Sequence, residues 1–244
     1  MTTFVLVHGS WHDGAAWGAV AGELVKAGHT VHTPTLAGHG KGADKAVDHD
    51  ACVRSVVDHL TAHDLDEVVL LGHSFGGSVI ARVAEEVPGR LERLIFWNAF
   101  VPERGNCLLD EVPPDLRAVF RELAAASPDN SITMPFGLWW ESFIQDADHD
   151  LAASAYASLS PEPFQPLIDR FDLRRFYGLT IPKSYLNATE DLVLRGEWAW
   201  HPRMSNRLGI YRLVEMPGSH EVIFTNPGLL AAKILEAAHD SVVV

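Results

Sequence analysis

Three short stretches carry residues that together could run acyl transfer through a serine. Gly72-His73-Ser74-Phe75-Gly76-Gly77 sets a serine with a glycine two residues before it and another two residues after, in a Gly-x-Ser-x-Gly pattern. Thr189-Glu190-Asp191 offers two adjacent carboxylates, and Pro217-Gly218-Ser219-His220 ends in a histidine. A serine hydroxyl is a poor nucleophile until a base takes its proton, and that base needs a carboxylate to hold its tautomer. Serine, acid, histidine is also the chain order of enzymes that carry the serine on a strand-to-helix elbow. The chain has 13 histidines, so position decides among them. His201 falls on a predicted helix and His239 at the end of another, and His149, inside Asp146-Ala147-Asp148-His149-Asp150, reads as a solvated helix start. Glu190 and Asp191 are both open as the acid at this point.

The elements around these residues explain their placement. Val68-Val69-Leu70-Leu71 is an apolar run of the kind that forms a strand buried on both faces, and Ser78-Val79-Ile80-Ala81-Arg82-Val83-Ala84 keeps helical spacing. A serine at the apex between them needs small neighbours, so that strand and helix can approach closely. The helix N-terminus behind Ser74 offers free N–H groups to an oxyanion. Further strands are expected at Phe4–Val7, Thr30–Thr33, Leu91–Asn98, 182–188 and Tyr211–Met216. Helices are expected at Trp17–Ala27, Ala46–Thr61, Glu197–Leu208 and Pro227–Ala238. Strands alternating with helices imply an α/β fold with a mostly parallel central sheet flanked by helices. The acid then follows a late strand, and the histidine follows the last one.

From about residue 100 to 178 the pattern changes. This stretch holds eight of the fourteen prolines and no convincing apolar strand, yet it is too aromatic to be disordered. Short helical patterns at Asp115–Ala126, Trp139–Gln145, Leu151–Leu159 and Phe164–Phe171 describe a helical cap inserted into one core domain, made of residues 1–99 and 179–244.

Composition narrows the function classes. Hydrophobic residues make up 47% and charged residues 21%, as in ordinary globular chains. A net charge of −13 without a basic run argues against nucleic acid and anionic membrane surfaces. Two cysteines, Cys52 and Cys107, are too few for a disulfide framework or a zinc site. With no leader-like start and no spanning apolar run, a cytoplasmic location is expected. The residues imply neither a metal nor an organic cofactor.

Val7-His8-Gly9-Ser10-Trp11-His12 with Trp17, Gly-His-Ser-Phe-Gly-Gly at 72–77, Thr-Glu-Asp at 189–191 and Pro-Gly-Ser-His at 217–220 resemble the α/β-hydrolase superfamily. The likeness is greatest to the branch of plant methylesterases, hydroxynitrile lyases and bacterial carboxylesterases, and it covers nearly the whole chain. The resemblance implies a triad of Ser74, Asp191 and His220, with Asp191 preferred to Glu190 by family position. It also implies an oxyanion hole made by the backbone N–H groups of Ser10 and Phe75. Some branches carry the acid after the strand that follows the elbow helix, but that strand ends here in Phe96-Trp97-Asn98-Ala99, without a carboxylate.

The expected activity is hydrolysis of a small carboxylic ester with an apolar or aromatic acyl group, through an acyl-serine. The same residues would serve a thioesterase or acyltransferase that takes its acyl group from an acyl carrier protein. A non-catalytic ligand receptor and a hydroxynitrile lyase are the other readings. Against the lyase stand Gly9 and Glu221, where that family has a threonine and a lysine. Gly9, Trp11, Trp139, Trp140 and Phe143 are expected around the substrate pocket, with Phe100 and Phe136 as further aromatics, about half of them serving as cap core instead.

Overall fold

The computed structural model describes residues 1–239 of the chain. Six parallel strands form the central sheet: β1 (Thr3–Val7), β2 (Thr30–His32), β3 (Val68–His73), β4 (Leu91–Trp97), β7 (Lys183–Ala188) and β8 (Arg212–Met216). Their order across the sheet is β2-β1-β3-β4-β7-β8. Every residue of β3 is buried, because helices cover both faces of the sheet.

The alternation of side chains sorts the core into two layers. Phe4, Leu6, Val69, Leu71, Ile95 and Trp97 face α1 (Gly18–Lys26) and the final helix Pro227–Ala237. Val5, Val7, Leu70 and Phe96 face α2 (His49–Ala62) and α3 (Gly76–Glu86). Each fully buried Val or Leu of this kind contributes about 1.5–3 kcal/mol of burial free energy. Asp48 sets the start of α2 by accepting from Ala51 N–H at 2.7 Å, so the helix begins later than its hydrophobic pattern suggests. Among the described residues no helix is long and apolar enough to cross a membrane.

The stretch from 100 to 178 contains α4 (Pro114–Ala126), helical turns over 136–143, the helix His149–Tyr156 and one turn at Gln165–Ile168. His149 opens its helix behind the Asp148 cap. This stretch also contains an antiparallel pair, β5 (Ser131–Ile132) with β6 (Glu162–Pro163), where the sequence suggested no strand. Two-residue strands carry no readable periodicity, and β6 consists of a glutamate and a proline.

The helix expected at 197–208 is also corrected. It is a series of tight turns, Gly196–Trp198, Trp200–Met204 and Ser205–Leu208, and His201 has extended backbone at φ −108° and ψ 134°. Pro202 supplies no N–H and biases the residue before it away from helix. His239 follows the final helix in a bend and is exposed.

Candidate active site

The carboxyl ends of the parallel strands gather the chemistry, as open α/β sheets generally do. The loop after β1 carries Gly9, Ser10 and Trp11. Ser74 follows β3, Asn98 follows β4, Asp191 follows β7 and His220 follows β8.

Ser74 sits at φ +50°, a left-handed conformation that costs a non-glycine residue free energy and needs outside support. Its N–H donates to Trp97 O at 3.2 Å, and its carbonyl accepts from Gly77 N–H and Phe100 N–H at 3.1 Å each. The flanking glycines are required by space. A Cβ on Gly72 would lie 2.5 Å from Gly76 O, and one on Gly76 2.7 Å from Val7 O. A Cβ on Gly9 would approach Ser74 Cβ to 3.1 Å, so the loop after β1 passes directly over the serine.

His220 is buried, and its Nδ1 lies 2.5 Å from Asp191 Oδ2. Asp191 is held in turn by Asn98 Nδ2, which donates to Oδ2 at 2.5 Å, and by Val193 N–H, which donates to Oδ1 at 2.8 Å. Asn98 also accepts from Ala188 N–H and donates to Ala188 O, tying the ends of β4 and β7 together. Burial works against a charged imidazole at 220. The Asp191 charge and hydrogen bond, helped by Glu221, outweigh it and raise the His220 pKa above its ordinary value. Glu190 is exposed, and its carboxylate accepts from Gly218 N–H instead of meeting His220.

His73 stacks on Trp97 with ring centroids 3.9 Å apart, and its Nε2–H donates to His220 O at 3.1 Å. Burial and the neighbouring His220 hold its pKa well below the ordinary range, so it is a neutral donor. His8 is held down by burial and by His39. Its Nε2 accepts from Leu36 N–H and its Nδ1–H donates to Gly9 O, which fixes both its tautomer and the loop. Glu221, far from pointing into solvent, is buried with Oε1 3.2 Å from His12 Nε2.

A narrow cavity of about 30 Å³ opens beside Ser74. Ser10, Trp11, Phe100 and Phe143 line it, together with Leu109, Val112, Leu116 and Phe120 and with Val193, Leu194 and Trp200. Trp200 stacks on the His220 ring at 5.3 Å and Phe143 meets the same ring edge-on at 5.5 Å, so His220 packs against two residues in the wall of the cavity that holds Ser74. Trp139 and Trp140 are not on this wall. Trp139 is fully buried, bonds Ala152 O through Nε1 and stacks on Phe143 from behind. Trp140 bonds Ala147 O and packs against Phe136 and His149. Both pack within the 100–178 stretch, as does Phe136. Leu116 and Phe120 escaped sequence reasoning, although their i, i+4 spacing on α4 marked an apolar stripe. Nothing in the sequence singled out Trp200.

A wider depression, about 630 Å³, lies between residues 177–183 and 208–212. It is at the amino ends of β7 and β8, away from Ser74.

A family model described as the alpha/beta hydrolase family matches residues 4–233. The chain belongs to this family. It is similar to Methylesterase 1 of Arabidopsis thaliana, with 37% identity over 96% of this chain and 95% of that one. It is also similar to the carbendazim hydrolyzing esterase of a Nocardioides species, with 40% identity over 49% of this chain and 52% of that protein. Among solved structures, an extracellular alpha/beta-hydrolase from a Paenibacillus species superposes with a TM-score of 0.96 at 42% identity, over 98% of this chain and 100% of that one. The resemblance to the methylesterase and bacterial esterase branch is therefore sound, and the chain is an α/β-hydrolase enzyme of the esterase kind.

Proposed function

We propose that this hydrolase cleaves small carboxylic esters through an acyl-Ser74 intermediate. The observation that carries the reading is the 2.5 Å contact of His220 Nδ1 with Asp191 Oδ2, at the strand ends that also present Ser74 on its strained turn. In this reading the Asp191 carboxylate keeps the proton on Nδ1, which leaves the Nε2 lone pair as the base. The hydroxyl proton of Ser74 passes to Nε2 as Oγ bonds the ester carbonyl carbon. The N–H groups of Ser10 and Phe75 receive the oxyanion. His220 then returns its proton to the departing alkoxide, and water repeats the sequence to release the acid.

The substrate class follows from the cavity wall. Its side chains are aliphatic and aromatic apart from Ser10 and Ser74, which suits an apolar acyl or alcohol group and gives a charged one no partner. The free volume is about 30 Å³, on the order of one water's share of liquid volume, so small groups are favoured. Gly9 and the buried Glu221 argue against cyanohydrin cleavage, since a carboxylate beside His220 favours the protonated histidine and disfavours a departing anion.

The test is intact-protein mass spectrometry after rapid mixing with short aryl esters, alkyl esters and thioesters. An adduct with the mass of the acyl group, discharged by water, is expected with the esters. Cyanide release from mandelonitrile faster than ester cleavage would overturn the proposal.

A further inference from the structure

On the outer edge of the sheet, two strands away from β3, three imidazoles crowd together. His32 ends the edge strand β2, His59 lies in the last turn of α2, and His63 caps that helix. The i, i+4 spacing of His59 and His63 puts both rings on one face of the helix. Their ring centroids are 4.2 Å apart, and those of His32 lie 5.1 Å from His59 and 5.4 Å from His63. One ring nitrogen from each of the three falls within 4.8 Å of the others. The closest pair, His32 Nδ1 and His59 Nε2, is 3.1 Å apart.

We propose that His32, His59 and His63 form a binding site for a divalent transition-metal cation of the zinc type, with a coordination position left open to solvent. The donor set is all imidazole, which suits Zn, Ni and Cu rather than the hard cations Mg and Ca. Two nitrogens each ~2.0–2.1 Å from a tetrahedral zinc stand ~3.3 Å apart, close to the spacing already present between His32 and His59. The lone pairs are ready. Burial, and the neighbouring imidazoles after it, hold the pKa values of His32 and His59 below the ordinary histidine range. His63 donates Nδ1–H to His59 O at 2.9 Å, so in its neutral form the lone pair is on Nε2.

Between His32 and His59 a single proton is shared across the hydrogen bond. A cation placed there takes both lone pairs, and the proton moves to the far nitrogen of its own ring, so that no net proton is released. His32 and His59 are half-buried and fixed on a strand and a helix, whereas His63 is exposed at the end of that helix, its Nε2 lone pair unused by the Nδ1–H bond to His59 O. Occupancy would clip the edge strand to α2. The site is separate from the serine chemistry and does not depend on it.

Zinc titrated into the chelator-treated full chain, followed by calorimetry, should bind at one equivalent and raise the melting temperature. Cobalt should give the visible absorption of a nitrogen-ligated ion. H63A, at the exposed position, should weaken zinc binding roughly tenfold or more and abolish the thermal shift, and H59Q should do the same. Ester turnover, measured in the same titration, should be unchanged at one equivalent of zinc. That control matters because His73, His220 and Glu221 form the other close donor set among the described residues. Zinc affinity that H63A and H59Q leave intact, or inhibition of turnover at one equivalent, would place the ion elsewhere and overturn the proposal. So would the absence of binding at millimolar zinc.

Discussion

The backbone N–H of Trp11 donates to the Glu162 carboxylate at 2.8 Å, joining the loop after β1 to β6 across 151 residues of sequence. Further contacts hold Trp11 in a left-handed conformation. Its φ is +64°, its carbonyl accepts from Ser160 N–H at 2.9 Å, and its indole N–H donates to Ile132 O at 2.8 Å. The same Glu162 oxygen meets His39 Nε2 at 3.0 Å, and the His39 ring stacks on Phe75. The β5–β6 pair thus holds the backbone of the residue after Ser10 and, through His39, packs against the side chain of Phe75, the two proposed oxyanion donors.

Glu162→Gln should therefore lower kcat more than it raises KM. The expected loss is about tenfold to hundredfold, less than the 10²–10³ that follows outright removal of an oxyanion donor. Glu162→Ala should lose more, because no acceptor remains for Trp11 N–H. Steady-state kinetics with an aryl acetate, beside circular dichroism to verify folding, measures this. Unchanged kcat in both variants would show that the Glu162 contact does not position the loop.

Much of this arrangement was legible in the sequence, and some was hidden. The run Val68–Leu71 announced a doubly covered strand, because four apolar residues in succession leave no polar face. Serine, carboxylate and histidine could be ordered along the chain because each follows a strand, and parallel strands deliver their ends to one edge. The residue pattern left Glu190 and Asp191 both open, and only the family resemblance favoured Asp191. Adjacent residues point in different directions, and only Asp191 reaches His220. The partners of Trp11 were not readable at all, since Glu162 belongs to a two-residue strand and its contact is tertiary. Trp139 and Trp140 looked like wall residues by type, but aromatic character does not distinguish a pocket from a small domain's own core.

Trp139 gives a stability test. Trp139→Ala should cost about 3–5 kcal/mol in urea unfolding, as for an aromatic truncated in a packed interior, and leave acyl-chain preference unchanged. Phe120→Ala, on the cavity wall and edge-on to Trp11, should shift preference toward bulkier acyl groups. A selectivity change in the Trp139 variant with none in the Phe120 variant would reverse the assignment of these two walls.

The two carboxylates separate by rate. Asp191→Asn should lower kcat by roughly 10⁴-fold through the wrong histidine tautomer. Glu190→Gln, which alters only an exposed contact to Gly218 N–H, should change it little. The opposite ranking would remove Asp191 from its proposed role.

Two opposite pH dependences follow from the buried histidines. The folded chain raises the pKa of His220 above its ordinary 6.5, so the proposed base is still protonated at pH values where a free imidazole is not. The acid limb of kcat/KM should lie above 6.5, and Glu221→Gln should move it down. The stability contributed by that raised pKa is fully present below the unfolded value and is lost as pH rises through the folded one. His49 has the other sign. Burial pushes its pKa down to about 3, so from the ordinary value downward the unfolded chain takes up a proton that the folded chain refuses. That costs about 1.4 kcal/mol per pH unit. Urea midpoints at pH 7 and pH 5 should therefore fall more steeply for the wild type than for His49→Gln, and parallel slopes would contradict the assignment.

The central claim is that Ser74 is the nucleophile, and labelling with a fluorophosphonate followed by peptide mapping tests it most directly. The wild type should carry one phosphonyl group, on the peptide that contains Ser74. Ser74→Ala should fold with an unchanged circular dichroism spectrum, take up no label and lose several orders of magnitude in ester turnover. Stoichiometric labelling of the folded Ser74→Ala protein, or a wild-type label mapped to another residue, would contradict the account.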